Sequence, residues 1–455
     1  MSESIIDRIQ PPLNHLPPQF NPWVLRSIQF VLPWWLRYRC GISKVETHNV
    51  ENLARLYRQF QQRQIRLLLA FRHPSTNDPF SMAHLLWNAV PKAAKREKIA
   101  LKSPVHCHFM YDRGIALWAG KMTGNLFSRL GGTSIQRGKL DREGLKCARN
   151  LLVDGRFPLA LAPEGGVNDH SELMSPLEPG LAQLAFWCLD DLYKANREEQ
   201  VAIVPIGIRY SFVQPPWEKV DALLTTLEND LNLAPISVPA NTPPEMIRYR
   251  QLLRIGQALL GLMEAFYVQF YDITFPELPE VEDVNQAFSQ RLHRLLEAAL
   301  NVSESYFKIT PKGTFLDRCR RLEQAGWERI YRSDIDTLSP VECGLGNWIA
   351  EEASLRMGHM RIVERVCAVT GKYVREKQTA ERFAETLLIL WKVINWIKTG
   401  IVGDRPDLGA QAAALTVGEP LWVNERWSQY KKSRRNAVSE LTQDLQTALQ
   451  ELMDS

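Results

Sequence analysis

Short apolar runs that alternate with helical patterns are the feature that most constrains the fold of this chain. Runs typical of buried strands occur at residues 65–71, 157–162 and 201–208. The stretches between them carry apolar residues at the i, i+3, i+4 spacing of amphipathic helices. Strands that alternate with helices favour an α/β domain with a mostly parallel sheet flanked by helices.

The pattern changes near residue 236. Residues 237–244 are rich in Pro, Asn and Thr, as expected of a linker. The segments beyond it show helical spacing with charged opposite faces. We therefore predict three parts: a Pro/Trp-rich N-terminal segment at 1–48, an α/β domain at 49–235, and an all-helical region of unknown role at 236–455.

The N-terminal segment contains a candidate membrane-interfacial helix at residues 22–40. Trp23, Trp34 and Trp35 occur there together with several arginines. This mixture is expected of a helix that lies among lipid headgroups. The alternative is a pair of short helices whose tryptophans pack on the protein. A charge and a proline interrupt the apolar run, so no transmembrane helix is predicted.

Composition excludes several classes of function. The net charge of +4 on 455 residues is too small for a dedicated nucleic-acid binder, so no nucleic-acid partner is expected. The seven cysteines are scattered and never in CxxC spacing, as in reduced cytosolic proteins. No segment has the order of a signal peptide. We expect a cytoplasmic protein that associates peripherally with a membrane surface.

Four short motifs follow strands or turns of the predicted α/β domain. A histidine ends the first strand and an aspartate follows five residues later, which is a pairing that can activate a hydroxyl group. Singly, each motif is weak, but their order is specific. They are His73…Asp78, Gly132…Arg137, Pro163-Glu164-Gly165-Gly166 and Val204-Pro205.

This ordered set resembles the glycerolipid acyltransferase family, which contains glycerol-3-phosphate and lysophosphatidate acyltransferases. The family pattern is HxxxxD, then GxxxxR, then PEG, then a VP pair after a strand. The resemblance covers roughly residues 50–215. It implies transfer of a fatty acyl group from acyl carrier protein or CoA thioester to a glycerolipid hydroxyl, most simply that of 1-acylglycerol-3-phosphate in phospholipid synthesis. No cofactor is implied beyond that co-substrate.

The resemblance also implies roles for individual residues. His73 is the general base and Asp78 orients its imidazole. Arg137, Glu164 and the turn at Gly165 and Gly166 bind the acceptor head group. No metal site is expected, because the sequence offers no third ligand to the pair His106 and His108.

Two departures from the family pattern concern the acceptor. Arg72 precedes the histidine where the family has a small residue or Asn, and Gly166-Val167 follows the PEG motif where the family has Thr and a polar residue. We expect Arg72 to replace a missing cation as a substrate-binding residue. The alternative function is a catalytically degenerate, acyltransferase-like protein that binds lipid or acts as a scaffold.

Overall fold

A computed structural model describes residues 6–136, 140–237, 239 and 241–454, without the side chains of residues 116, 118, 121 and 454. These residues form two compact units. The α/β unit contains residues 15–136, 141–214 and 409–454. The helical unit contains residues 6–14, residue 140 and the described part of 215–408.

A mostly parallel sheet forms the centre of the α/β unit. Among the described residues it has eight strands: β1 (Ile42–His48), β2 (Ile65–Phe71), β3 (His108–Asp112), β4 (Gly132–Ile135), β5 (Leu159–Leu161), β6 (Gln200–Phe212), β7 (Gln411–Val417) and β8 (Leu421–Trp422). The order across the sheet is β1-β7-β6-β2-β5-β3-β4, and β8 pairs with β6. Of the strand pairs that the described residues form, only those of β6 with β7 and β8 are antiparallel. The predicted α/β fold is confirmed.

One edge of the sheet collects the ends of four parallel strands. β2, β5, β3 and β4 are neighbours in that order and run in the same direction. Their last residues are Phe71, Leu161, Asp112 and Ile135. Open α/β sheets bind ligands at this carboxyl edge. The motifs that follow β2 and β5 are therefore brought to one place.

Helices and the two faces of the sheet enclose two apolar cores. The helices are α1 (Pro22–Tyr38), α2 (Val50–Gln61), α3 (Asp78–His84), α4 (Val90–Arg96), α5 (Ile115–Trp118), α6 (Lys121–Arg129), α7 (Arg142–Asp154) and α8 (Gly180–Lys194), with a π-helical turn between α3 and α4. Side chains along β2 alternate between the faces. Leu67 and Leu69 pack with α2, whereas Leu68 and Ala70 pack with α7 and α8.

The helical unit contains α9 (Trp217–Asp230), α10 (Pro244–Tyr271), α11 (Val284–Phe307), α12 (Phe315–Ile330), α13 (Pro340–Val366), α14 (Tyr373–Glu376) and α15 (Ala380–Thr399). Capping boxes at Thr314 and Ser339 begin α12 and α13. Buried Arg318 of α12 pairs with buried Glu304 of α11 at 2.8 Å. A helical region after the α/β strands is thus present as predicted. Among the described residues, no helix combines the length and apolarity needed to span a lipid bilayer.

The end of the chain departs from the predicted all-helical region at 236–455. Residues 409–454 belong to the α/β unit, where β7 lies between β1 and β6, followed by α16 (Trp427–Lys432) and α17 (Arg434–Asp454). Leu441 and Leu445 of α17 are buried in the same core as α8. The strand was missed because Ala412, Ala413 and Ala414 have low intrinsic strand propensity.

Two other boundaries also differ from the prediction. Helix α9 precedes the predicted limit at residue 235 but belongs to the helical unit, where the Trp217 ring meets Phe383 at 5.7 Å. Residues 6–14, predicted within the segment 1–48, are also in the helical unit, because Ile9 N–H donates to Asn347 at 3.1 Å. Long-range contacts of this kind leave no local pattern in the sequence.

If α17 completes the α/β core, truncating one of its buried side chains destabilises the protein. Leu441→Ala removes a fully buried leucine and is expected to cost about 2–5 kcal/mol of unfolding free energy. Urea unfolding followed by circular dichroism measures the loss. Gln443→Ala, at an exposed position of the same helix, is the matched control. Equal unfolding midpoints for both variants would contradict this placement of α17.

Candidate active site

The first half of the site is the loop that follows β2. The N–H of Arg72 donates to the Ile206 carbonyl of β6 at 3.0 Å, in continuation of the sheet. Pro74 then ends the pairing, because proline has no N–H to donate. The chain turns at residues 75–77 and enters α3 at Asp78. The histidine between strand and turn is therefore held at the carboxyl edge.

His73 and Asp78 form a hydrogen-bonded pair. His73 Nδ1 lies 2.9 Å from Asp78 Oδ2. The Asp78 side chain is fully buried, whereas that of His73 is 21% exposed. An ionised carboxylate only accepts, so Nδ1 carries the proton and Nε2 keeps its lone pair. This is the arrangement of a base and its orienting carboxylate.

Three groups donate to the buried Asp78 carboxylate. In addition to His73, Ser75 N–H donates to Oδ2 at 2.9 Å and the Tyr210 hydroxyl donates to Oδ1 at 2.6 Å. Burial raises the pKa of Asp78, and the hydrogen bonds from His73, Tyr210 and Ser75 act in the opposite direction. The position of Asp78 in the first turn of α3 also favours its anion. The carboxylate is thus held by protein donors and has no exposure to solvent.

Arg72 requires a correction to the sequence-based prediction. We expected its guanidinium to contact the acceptor, but its side chain has no exposed area. Its Nε pairs with Glu164 Oε1 at 3.0 Å, and its terminal nitrogens donate to carbonyls of the loop after β5. A charge this deeply buried needs such partners. The Arg72 side chain therefore points into the protein, toward the loop after β5.

Glu164 is the centre of a second buried network. Its Oε1 also accepts the N–H of His73 at 2.8 Å, and its Oε2 accepts the Ser175 N–H at 3.0 Å and the Asn168 amide at 3.3 Å. Its side chain has no exposed area, so the predicted contact with an acceptor head group does not fit this position. Instead, Glu164 ties the loop after β5 to the backbone of the base.

The two glycines after Glu164 are less buried than Glu164 itself. Gly165 has φ +69°, a backbone conformation that glycine adopts without strain. Gly165 and Gly166 are both half-buried. A head-group contact at these two residues stays a prediction.

The two remaining motifs are Gly132…Arg137 and Val204-Pro205. Gly132 is the first residue of β4, which ends at Ile135 on the carboxyl edge. Arg137 lies outside the described residues. Arg113, which follows β3, pairs with Asp141 at 2.5 Å. Pro205 lies in β6 opposite Ala70 of β2.

Sequence reasoning missed Tyr210. The predicted strand ended at residue 208, whereas β6 continues to Phe212. Because strand side chains alternate, Ile206, Ile208 and Tyr210 share one face of the sheet. All three are buried in the same core. A longer strand prediction would have placed this tyrosine beside the His73 loop.

The histidines of β3 and the loop before it are occupied by protein partners. His106 Nε2 contacts the Leu130 carbonyl at 2.8 Å and its Nδ1 accepts from the Trp87 indole at 3.1 Å. His108 Nδ1 donates to the Gly131 carbonyl at 2.9 Å. Burial lowers the pKa of His106 to about 4. Across the described ranges, no three metal-ligating side chains are clustered.

Comparison with known proteins identifies one region of the chain. A family model described as Acyltransferase matches residues 44–209. No curated protein and no solved structure matched the chain. The matched range contains both His73 and Asp78 and both partners of the Arg72–Glu164 ion pair.

The buried ion pair predicts strong energetic coupling between Arg72 and Glu164. In a double-mutant cycle of Arg72→Met and Glu164→Gln, each single change leaves a buried charge unpaired, so we expect a coupling free energy of about 1–3 kcal/mol. Urea unfolding of the four proteins measures it. The control cycle uses the exposed pair Asp190 and Lys194 of α8, for which about 0.5 kcal/mol or less is expected. Additive effects at residues 72 and 164 would contradict the assigned ion pair.

Proposed function

We propose the reaction of this protein from the premise that residues 44–209 form a domain of the acyltransferase family, which makes the chain an acyltransferase of glycerolipid-type acceptors. The proposed reaction moves a fatty acyl group from an acyl carrier protein or CoA thioester to the free hydroxyl of 1-acylglycerol-3-phosphate. His73 is the proposed general base. The observation that carries this proposal is the 2.9 Å hydrogen bond between His73 and buried Asp78.

The proposed chemistry uses only the free nitrogen of His73. Nε2 takes the proton of the acceptor hydroxyl as its oxygen attacks the thioester carbonyl carbon. Asp78 stabilises the imidazolium that forms. The tetrahedral intermediate then collapses, the carbon–sulfur bond breaks, and the leaving thiolate takes the proton from His73. Atoms and charges balance without a covalent acyl-enzyme.

Exposed aromatic residues on α1 support a peripheral association with membrane lipids. Trp23, Phe30, Trp34 and Tyr38 lie on one side of the helix and are 71%, 87%, 64% and 64% exposed. The opposite side, which includes Leu32, is buried in the core. Aromatic rings of this kind, with arginines beside them, suit the headgroup layer of a membrane that carries the acceptor.

The end of α1 lies beside the candidate active site, so membrane binding by α1 would bring the site close to a lipid acceptor. The Asn77 amide donates to the Cys40 carbonyl at 3.3 Å, and the Trp35 ring meets Phe80 of α3 at 5.9 Å. A helix that rests on the membrane would therefore hold the His73 loop near its surface. An acceptor with a long acyl chain needs to leave the bilayer only partly.

Removal of the base is expected to abolish the reaction. His73→Ala and Asp78→Asn should each lower acyl transfer to 1-acylglycerol-3-phosphate by at least about 100-fold, because proton transfer loses its acceptor or its orienting group. Thiol release from acyl-CoA or acyl carrier protein measures the rate. His48→Ala, an exposed histidine at the end of β1, is the control and should retain full activity.

The same assay separates the enzyme from the degenerate scaffold. Acceptor-dependent thiol release that needs His73 supports the enzyme. A folded wild-type protein that binds lysolipid vesicles without any thiol release would support the scaffold. Near-normal transfer by His73→Ala would show that another residue is the base.

The aromatic side of α1 predicts a matched test of membrane binding. Phe30→Ala together with Trp34→Ala should weaken binding to vesicles of phosphatidylglycerol and phosphatidylcholine by about tenfold. The reason is that two rings, exposed in the free protein, no longer insert into the headgroup layer. Sedimentation with the vesicles measures this. Trp348→Ala is the control, because Trp348 is 72% exposed on α13 of the helical unit. Unchanged sedimentation of the α1 variant would remove α1 from the interface.

A further inference from the structure

We infer that Tyr210 is a positioning residue of the base: its hydroxyl holds the Asp78 carboxylate ionised and oriented toward His73. The inference rests on the proposed function, because it assigns a role within the same acyl transfer. Tyr210 lies just beyond the range that the family model matches. None of the four sequence motifs contains it.

The length of β6 brings Tyr210 to the site. Ile206 of β6 pairs with Phe71, the last residue of β2. Beyond that pair β6 continues along β7, so that Tyr210 stands opposite Ala413. Its side chain is buried with the residues that pack around β2 and α3. β6 therefore extends past the end of β2, beside the His73 loop and the first turn of α3.

The hydrogen-bond directions around Tyr210 follow from the chemistry of its partners. Its Oη lies 2.6 Å from Asp78 Oδ1 and 3.1 Å from Ser81 Oγ. An ionised carboxylate only accepts, so the tyrosine donates to Asp78 and Ser81 donates to the tyrosine. A chain of donors thus runs from Ser81 through Tyr210 to Asp78, and His73 donates to the other carboxylate oxygen.

Several titratable groups face this cluster. The buried Glu164 carboxylate, which is paired with Arg72, accepts the main-chain N–H of His73. His73 and Tyr210 face Asp78, and the Cys40 thiol faces Tyr210 from the segment after α1. Burial raises the pKa of Cys40 to about 11, so this thiol is neutral at physiological pH. Burial and the Asp78 carboxylate raise the pKa of Tyr210 well above its usual value, so the phenol stays protonated. It is therefore available as a donor throughout the working range of the base.

Loss of this donor changes how readily the hydrogen-bonded pair of His73 and Asp78, called the dyad below, takes a proton. In the unprotonated dyad, neutral His73 stands beside ionised Asp78. Without Tyr210 the fully buried carboxylate keeps only two described donors, His73 and the Ser75 N–H, and its anion is less stable. A proton then enters the dyad at higher pH and resides more on Asp78. Base catalysis needs the unprotonated dyad, so its acid limb moves to higher pH.

The test compares Tyr210→Phe with Tyr57→Phe in the full chain. Tyr57 is also buried in the same unit, and its hydroxyl donates to the His106 carbonyl at 2.7 Å. Tyr210→Phe loses the hydrogen bonds with Asp78 and Ser81, and Tyr57→Phe loses the one with His106, but only residue 210 contacts the His73–Asp78 dyad. The profile of kcat/KM against pH for acyl transfer should shift its acid limb upward by ~1 pH unit in Tyr210→Phe and not in Tyr57→Phe. KM for the acceptor should stay unchanged in both.

A coincident acid limb in wild type and Tyr210→Phe overturns the inference, as does an equal shift in Tyr57→Phe. If Tyr210→Phe does not fold, Ser81→Ala replaces it, since it weakens the tyrosine as a donor. It should shift the limb in the same direction by less, and no shift overturns the inference.

A second readout does not depend on turnover. The Cε1 resonance of His73 in histidine-labelled protein, assigned by its loss in His73→Gln, reports protonation of the dyad. Its titration midpoint should rise in Tyr210→Phe relative to Tyr57→Phe, and equal midpoints overturn the inference. A wild-type protein without transfer defeats the proposed function, whereas this titration still decides the role of Tyr210.

Discussion

The buried ion pair between Arg72 and Glu164 is the interaction on which the candidate site depends. It joins the end of β2 to the loop after β5, and Glu164 also accepts the N–H of His73. A one-residue shift of either loop would leave two charges buried without partners, which costs several kcal/mol. The backbone of His73 is therefore fixed by its hydrogen bond to Glu164 and by the adjoining hydrogen bond of Arg72 to β6. Its imidazole alone reaches the partly exposed surface.

Two buried carboxylates hold different parts of this histidine. Glu164 holds the main chain of His73, whereas Asp78 holds its ring. Both carboxylates are satisfied by several donors, so neither needs solvent or a ligand to remain stable in the core. Preorganisation of this kind means that the His73 imidazole, the proposed base, is oriented before any acceptor arrives. It also explains why an arginine can stand directly before His73, because the charge of Arg72 is compensated by buried Glu164.

Features that depend on local pattern could be predicted from the sequence, and those that depend on distant pairing could not. The buried strand β2 and its stop at Pro74 gave the position of His73 and Asp78 directly. The direction of the Arg72 side chain could not be predicted, because its partner is far along the chain. The alanine-rich strand β7 was missed because its neighbours β1 and β6, rather than its own propensity, make it a strand. Tyr210 was missed for the same reason, since β7 is what extends β6 past the end of β2.

The internal use of Arg72 has a consequence for the acceptor. Arg72 follows β2 and Arg113 follows β3, two strands that end at the same carboxyl edge, and both arginines have carboxylate partners within the protein. We therefore propose that a phosphate on the acceptor is bound by Arg137, as the family resemblance implies. A neutral acceptor would not need this contact. In the proposed function, recognition of the acceptor charge and removal of its proton are thus tasks of separate residues, so a different acceptor would not require a different base or different carboxylates around it.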